Sequence, residues 1–192
     1  MRKTRLEAFS DGVIAIIITI MVLELKVPHG AEVSSLKPLI PVFLSYILSF
    51  VFLGIYWNNH HHLLQTVEQV NGPILWANSH LLFWLSLVPF VTAWMGENHF
   101  AAWPVAFYGI VMICAAVAYF ILTQTIIAHH GKNSLLAKAV GGDFKGKVSI
   151  AIYATAIILA FVNANYSCAL YIVVAIMWLI PDKRIEKNFQ KK

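Results

Sequence analysis

The sequence predicts an all-α integral membrane protein with six transmembrane helices. Hydrophobic residues make up 59% of the 192 residues and charged residues only 12%, and the mean hydropathy is +0.72. Such a chain has too little polar surface to cover a water-soluble globule. Apolar stretches recur from Phe9 to Ile180 with only short polar breaks. We therefore expect residues 1–192 to form one membrane domain.

Six apolar stretches define the predicted spans, and prolines or glycines fall at several of the breaks between them. The first stretch, residues 8–25, is about 27 Å long as a helix, close to the thickness of the bilayer hydrocarbon. The others are residues 39–57, 74–95, 103–128, 148–162 and 168–180. The last two are short and separated by Asn163, Asn165 and Tyr166, so a re-entrant hairpin is the alternative for that pair.

The basic residues are distributed unevenly around these spans. With a cytoplasmic N-terminus, three lie before the first span, four between the fourth and fifth, and five after the sixth, which places twelve inside. Only Lys26 and Lys37 are then outside. By the positive-inside rule, this predicts a multi-pass protein of the cell membrane with both termini in the cytoplasm. The net charge of +5 is expected to meet membrane lipid headgroups and not nucleic acid.

Asp11 is the unusual residue of the first span. A carboxylate within a span costs about 2.5–3.5 kcal/mol at mid-helix and less near an end, so we expect it to be paired inside the protein. Ser10 beside it also needs a partner. Candidate partners on the same predicted membrane side are Arg5, Trp57, Asn58, His60, His61 and either Asn78 or His80. The alternative is that all these groups lie in the headgroup region and are hydrated.

One face of the first helix is apolar with a single hydroxyl. At about 100° per residue, Ile16, Thr19, Ile20 and Leu23 lie within an arc of roughly 100°, and Ser10 and Asp11 point away from it. This stripe is either the lining of an ion pathway or an ordinary packing surface. Ile17 lies about 100° from Ile16 and is expected to tolerate truncation to Ala.

Two groups of histidines invite a metal site, because imidazole is a common zinc ligand. However, neighbours in a run such as His60, His61 and His62, or His129 and His130, do not converge on one ion as i and i+4 residues do. No HExxH or acidic companion motif accompanies them. We expect interfacial histidines, no metal and no cofactor. Enzyme motifs such as GxSxG and the Walker A loop are absent, so an enzyme is not expected.

The segment Arg5-x-x-x-Phe9-Ser10-Asp11, at the start of a first span, resembles the motif of the TMEM175 family of cation channels. The likeness continues into Trp57-x-Asn59-His60-His61 and from Asn78 to Pro89-Phe90, whereas the C-terminal half matches only in hydropathy. The resemblance implies a potassium-permeable channel without the TVGYG selectivity filter, which this sequence lacks. Members of this length resemble the single-repeat prokaryotic type, which implies a homotetrameric cation channel with its pore lined by the first helices.

By the same resemblance, Ile16, Ile20 and Leu23 form the constriction of the pore and Thr19 adds a ring of hydroxyls. Four apolar side chains around an axis exclude water, so Ile16 is expected to act as a hydrophobic gate. Potassium is then the permeant ion and not a cofactor, and the partners are other copies of the chain and membrane lipids. The alternatives are a proton-coupled cation transporter that uses Asp11 and nearby histidines, and a membrane-bound metal enzyme.

Overall fold

The computed structural model describes residues 3–67, 69–131, 134, 136–137 and 143–179. Within these residues every regular element is helical. The helices are α1 Lys3–Leu23, α2 Ile40–Gln65, α3 Gly72–Ser86, α4 Val88–Glu97, α5 Ala102–His130, α6 Phe144–Ala160 and α7 Ala164–Leu179. A short 3₁₀ helix, Val33–Leu39, leads into α2.

Four helical segments of the described chain are long and apolar enough to cross a membrane. They are Lys3–Leu23, Val33–Gln65, Gly72–Glu97 and Ala102–His130. The last two helices, α6 and α7, have 17 and 16 residues, which corresponds to about 25 Å each. With α3 and α4 counted as one interrupted span, the described residues contain six transmembrane helices, which confirms the predicted fold class.

The α6–α7 pair extends along α5 as an antiparallel hairpin. At one end of the pair, the ring of Phe161 packs against Trp103 at the start of α5, with ring centroids 4.9 Å apart. At the other end, Trp178 Nε1 donates a hydrogen bond to Ser149 Oγ at 2.8 Å. The first contact holds the end of α6 against α5, and the second holds the end of α7 beside the start of α6, as expected for two consecutive antiparallel spans. The predicted end of the last span, Ile180, lies outside the described residues.

The third predicted span consists of two helices that meet at Leu87. Pro89 explains the break, because it has no N–H to bond the carbonyl of Leu85 four residues earlier. The helix is therefore interrupted between α3 and α4. The apolar stretch over residues 74–95 did not predict this break, because hydropathy does not distinguish a continuous helix from an interrupted one.

α5 is the central helix of the bundle, and small residues let its neighbours approach it closely. An added Cβ at Gly109 would collide with the hydroxyl of Tyr171 on α7. That hydroxyl donates to the carbonyl of Val105 at 2.8 Å, so the tyrosine is both buried and hydrogen-bonded. The α5–α7 contact thus depends on a missing side chain at position 109.

Polar contacts mark the two ends of the bundle. At one end, Lys3 Nζ donates to the carbonyl of Gln65 at 3.0 Å. At the other end, Lys26 Nζ bonds Glu97 Oε1 at 2.8 Å, and this hydrogen bond and the carboxylate charge raise the pKa of Lys26. Most of the twelve basic residues predicted to be inside lie outside the described residues, namely Arg2, Lys132, Lys138, Lys183, Arg184, Lys187, Lys191 and Lys192.

Candidate ion pathway

α1 buries one face and leaves the other uncovered. The buried side chains are spaced three or four residues apart, as on one side of a helix: Leu6, Ser10, Ile14, Ile17 and Met21. Ile17 is only 3% exposed. It lies off the stripe, and because truncating a core isoleucine costs about 2–5 kcal/mol, Ile17→Ala should destabilise the subunit and is a poor control for conductance.

The stripe predicted from helical geometry lies on the uncovered face of α1. Ile16 is 58% exposed, Ile20 41% and Leu23 78%, and Thr19 is also exposed. The hydroxyl of Thr19 donates to the carbonyl of Ile16 at 2.9 Å, which leaves its oxygen lone pairs facing outward as acceptors. No part of the described chain covers these four side chains in the way that the core covers Ile14 and Ile17.

A buried hydrogen-bond network holds the opposite face of α1. Asn78 Nδ2 on α3 donates to Ser10 Oγ at 3.0 Å, and Ser10 Oγ donates to the carbonyl of Leu6 at 2.8 Å. Asn78 Oδ1 lies 2.7 Å from His60 Nε2 on α2, and because an amide oxygen only accepts, Nε2 carries the hydrogen. Ser10, Asn78 and His60 are all buried, so the network joins three helices inside the core.

Asp11 lies one residue further along, at the edge of the buried face. Its Oδ1 accepts a hydrogen bond from Trp57 Nε1 of α2 at 3.0 Å. The indole of Trp57 stacks on the ring of His61, with centroids 6.0 Å apart, and Gln65 Nε2 lies 2.9 Å from His61 Nε2. The carboxylate is therefore half-buried and paired with an uncharged donor.

The structure separates the other predicted members from this network. His80 is exposed and accepts a hydrogen bond from Trp84 Nε1 at 2.9 Å instead. Arg5 and Asn58 are exposed at the same end of the bundle, and Phe9 is exposed on the uncovered side of α1. Of the seven residues proposed as partners of Asp11 and Ser10, the described structure thus brings Trp57, His60 and Asn78 into direct or shared hydrogen bonds.

A second buried polar cluster was not anticipated from the sequence. Ser49 Oγ on α2 lies 2.7 Å from Thr92 Oγ1 on α4 and donates to the hydroxyl of Tyr108 on α5 at 3.1 Å. These residue types are common in transmembrane helices and carry no spacing signal, so no sequence pattern distinguishes them. The cluster ties α2, α4 and α5 together deeper in the bundle.

The two runs of histidines each contain one pair of rings in contact, and these pairs do not form a metal site. The rings of His61 and His62 meet edge to face, and so do those of His129 and His130. His129 Nδ1 is 3.0 Å from Asn71 Nδ2. In the part of the chain that the structure describes, no group of three His, Cys, Asp or Glu side chains is placed to hold a metal ion.

The helical bundle, with its several apolar helices long enough to cross a membrane, defines an all-α, polytopic membrane protein. Residues 5–89 match the family described as "Endosomal/lysosomal potassium channel TMEM175". A potassium channel of Chryseobacterium sp. (strain P1-3) is 58% identical to this chain over the full length of both proteins. The endosomal/lysosomal proton channel TMEM175 of Bos taurus is 27% identical over 89% of this chain and 40% of its own.

A solved structure shares the fold. The crystal structure of a lysosomal potassium-selective channel TMEM175 homolog from Chamaesiphon minutus superposes with a TM-score of 0.81 and 28% identity. The match covers 94% of this chain and 97% of that one. The chain belongs to the TMEM175 family, as the motif at Arg5, Phe9, Ser10 and Asp11 predicts.

Proposed function

We propose that this chain is a potassium-permeable cation channel. In this proposal residues 1–192 form one channel domain, four copies assemble around an axis, and α1 of each copy lines the pore. The protein acts at the cell membrane with both termini in the cytoplasm, carries out no enzymatic reaction, and needs no resident cofactor. Potassium is the ion that passes through.

The observation that carries this proposal is the division of α1 into two faces. On one side of the helix, Ser10 and Asp11 are hydrogen-bonded to α3 and α2. The opposite side is uncovered and carries Ile16, Thr19, Ile20 and Leu23. A pore helix needs this combination, because one side must be held by the subunit while the other faces the axis. A single copy provides only one such helix, so a closed pore requires several copies related by rotation.

The chemistry of the stripe suggests how such a pore would be gated. Isoleucine and leucine side chains cannot replace the hydration shell of an ion, so a narrow ring of them forms a dry barrier. Thr19 is the one residue of the stripe that offers oxygen lone pairs. The proposal therefore assigns the gate to Ile16, Ile20 and Leu23, and a favourable contact with the ion to Thr19.

The relatives support the same function. The Chryseobacterium protein that matches over its full length is named a potassium channel, and the Chamaesiphon homolog is described as potassium-selective. The tetrameric state is tested by the mass of the purified protein in detergent, for which we expect four chains. A monomer or dimer as the only conducting species would contradict it.

The decisive experiment replaces the side chain of Ile16 in the proposed gate with a shorter one or with a polar one. Ile16→Ala widens the ring and Ile16→Asn makes it polar, so each should raise potassium conductance in planar bilayers by roughly two-fold or more. Ile16→Ala should also discriminate less against sodium, measured as a shift in reversal potential under opposed potassium and sodium gradients.

The matched control is Ile176→Ala on α7. The exposed fraction of Ile176, 55%, is similar to the 58% of Ile16, but Ile176 lies on α7 and not on the proposed pore helix. The variant Ile176→Ala should leave conductance and reversal potential unchanged. If Ile16→Ala and Ile176→Ala alter the current equally, or neither does, the stripe is a packing surface and the pore lies elsewhere.

A proton-coupled cation transporter is the second candidate. Vertebrate relatives are named proton channels, and Asp11, His60 and His61 lie together at the inner end of α1. Such a transporter predicts a saturable flux that depends on the proton gradient and shows no unitary currents. Single-channel steps in a symmetric-pH potassium gradient would exclude it.

A further inference from the structure

A cavity of about 60 Å³ lies between α2, α5, α6 and α7. None of its lining residues belongs to α1, so the cavity is separate from the uncovered stripe. A single water needs about 10–15 Å³ by the same measure, so the cavity has room for a small group of a ligand and not for a drug-sized molecule. Half of its lining residues are aromatic, namely Phe52, Tyr56, Tyr119, Phe120, Tyr153 and Trp178.

Hydrogen bonds fix two of these rings in orientation. The hydroxyl of Tyr119 donates to the carbonyl of Asn59 at 3.1 Å, and Trp178 Nε1 donates to Ser149 Oγ at 2.8 Å. The face of Trp178 is suited to a cation, because Lys145 Nζ lies 5.8 Å from the centre of that ring. The aromatic wall of the cavity is therefore held in place by the protein and attracts positive charge.

One carboxylate lines the same cavity. Asp143 is the N-cap of α6, and its Oδ1 accepts a hydrogen bond from the N–H of Gly146 at 3.2 Å. No lysine or arginine of the described chain forms an ion pair with this carboxylate. A carboxylate beside aromatic faces is the combination that binds an ammonium group, through a charge-assisted hydrogen bond and cation–π attraction together. The cavity thus has the chemistry of a site for an organic cation.

The position of the cavity indicates where such a cation comes from. Asp143 precedes the first residue of α6 and Trp178 is close to the last residue of α7, so both lie where these spans meet the membrane surface. Phe144, the neighbour of Asp143, is 78% exposed and offers an apolar surface to lipid. Lys145 and the exposed Lys147 add positive charge in the first turn of α6. An ammonium group with a phosphate next to it complements this arrangement, and zwitterionic phospholipid headgroups carry both.

We propose that this cavity binds the ammonium group of a zwitterionic phospholipid, with the Asp143 carboxylate as its counter-ion. Phosphoethanolamine is the headgroup that matches best, because a primary ammonium donates hydrogen bonds to the carboxylate as well as carrying charge. Only the ammonium group needs to enter the cavity, and the acyl chains stay in the bilayer. The inference goes beyond the proposed function and does not depend on where the ion pathway lies.

A lipid titration tests the site. The full chain is freed of lipid in detergent and titrated with dioctanoyl-phosphatidylethanolamine or with dioctanoyl-phosphatidylglycerol, and the bound lipids are counted by native mass spectrometry. The two probes have the same acyl chains and a phosphate, but only the first has an ammonium group. We expect phosphatidylethanolamine to bind about ten-fold more tightly, because only this lipid can pair with the carboxylate. Equal affinity for the two lipids would overturn the proposal.

Asp143→Asn tests the counter-ion. Asparagine also caps helices and also tolerates the left-handed backbone of this position, where φ is 43°, so the variant removes the charge and keeps the local structure. It should lose the preference for phosphatidylethanolamine, with the unfolding midpoint of the lipid-free protein unchanged. Glu32→Gln is the matched control, because Glu32 is exposed, lies outside the cavity and makes no side-chain cap hydrogen bond. If Asp143→Asn keeps the preference, the carboxylate is not the counter-ion and the proposal fails.

Ala116→Leu tests the cavity itself. It adds bulk to the α5 wall and should weaken the binding of phosphatidylethanolamine with the carboxylate still present. Ala128→Leu, at an exposed position of the same helix, is its control and should bind normally. Normal binding by Ala116→Leu would place the lipid elsewhere. Free ethanolamine is the last probe: if it displaces the lipid at equal concentration, the ligand is a soluble amine and the assignment to a phospholipid is wrong.

Discussion

Asn78 uses both ends of its amide inside the bundle. Its nitrogen donates to Ser10 and its oxygen accepts from His60, and each bond leads to a different helix. No other side chain of this size offers a donor and an acceptor in a fixed plane. In the described chain no buried side-chain polar atom lacks a partner, and Asn78 alone provides partners for the side chains of both Ser10 and His60.

Removing this amide should therefore destabilise the subunit. Asn78→Leu keeps the branching and the number of heavy atoms of the side chain but leaves the His60 N–H without an acceptor, which costs about 1–3 kcal/mol. We expect a clear fall in the thermal unfolding midpoint measured in detergent. Ser79→Ala, at the adjacent exposed position, is the control and should not change the midpoint. Equal shifts in the two variants would show that the network contributes no specific stability.

Thr19 differs from its neighbours on the stripe by a single polar atom. Thr19→Val removes the hydroxyl at nearly constant volume, so it should lower potassium conductance or selectivity without widening the pore. The measurement is single-channel conductance and reversal potential beside the unsubstituted chain. A rise in conductance like that expected for Ile16→Ala would mean that the hydroxyl acts only through its bond to the carbonyl of Ile16.

At the scale of elements, the pair of Asp11 and Trp57 ties α1 to α2. Asp11→Ala leaves the indole N–H without its acceptor and loosens the inner end of α1. We expect it to reduce the amount of assembled tetramer more than it changes the ion preference of the channels that remain. Assembly is measured by mass in detergent and ion preference by reversal potential.

Trp57→Phe is the complementary change, because it removes the donor and leaves the carboxylate. If the two residues act through their hydrogen bond, the double variant should lose less tetramer than the sum of the two single losses. Normal assembly of Asp11→Ala with an altered ion preference would instead mean that Asp11 faces the ions.

Most of the helices could be predicted from the sequence, because each span corresponds to an apolar stretch of suitable length. Their ends were less predictable. α1 begins at Lys3 and α2 continues to Gln65, several residues beyond the apolar stretches, since helix continues where polar side chains reach the membrane surface. The break at Leu87 had only Pro89 as a signal, and a proline within a span can also be accommodated by a kink.

The candidate site was predictable at the polar residues of the first span, because an unpaired polar group within a membrane is costly in free energy. Asp11 and Ser10 needed hydrogen-bond partners. The second and third helices, which were predicted to have their polar residues on the same membrane side, provide Trp57, His60 and Asn78. Helical geometry separated Ile16 from Ser10 but could not show which face the subunit covers, so the burial of Ile17 was not predicted. The cavity between α2, α5, α6 and α7 depends on how these helices pack together, which no local pattern encodes.

At the scale of the whole molecule, the bundle has one end that holds Lys3 and another that holds the pair of Lys26 and Glu97. We expect the first end to face the cytoplasm. In intact cells, an impermeant thiol reagent should leave Lys3→Cys unlabelled and should label Lys37→Cys at the opposite end. External labelling of Lys3→Cys would refute this orientation. The unsubstituted chain corrects for Cys114 and Cys168.

α1 resembles a beam that is clamped by hydrogen bonds at one end and is held by apolar packing, which extends to Met21, along the rest of its buried face. Its side-chain hydrogen bonds to other helices fall between Lys3 and Asp11, whereas its far end is followed by one exposed ion pair with long, mobile side chains. From Ser10 to Leu23 the beam is about 20 Å long. A tilt of about 5° about the clamp would displace Leu23 by roughly 2 Å and Ile16 by roughly half as much. Small rotations at the polar anchor are thereby amplified along the uncovered stripe, with the largest displacement at Leu23.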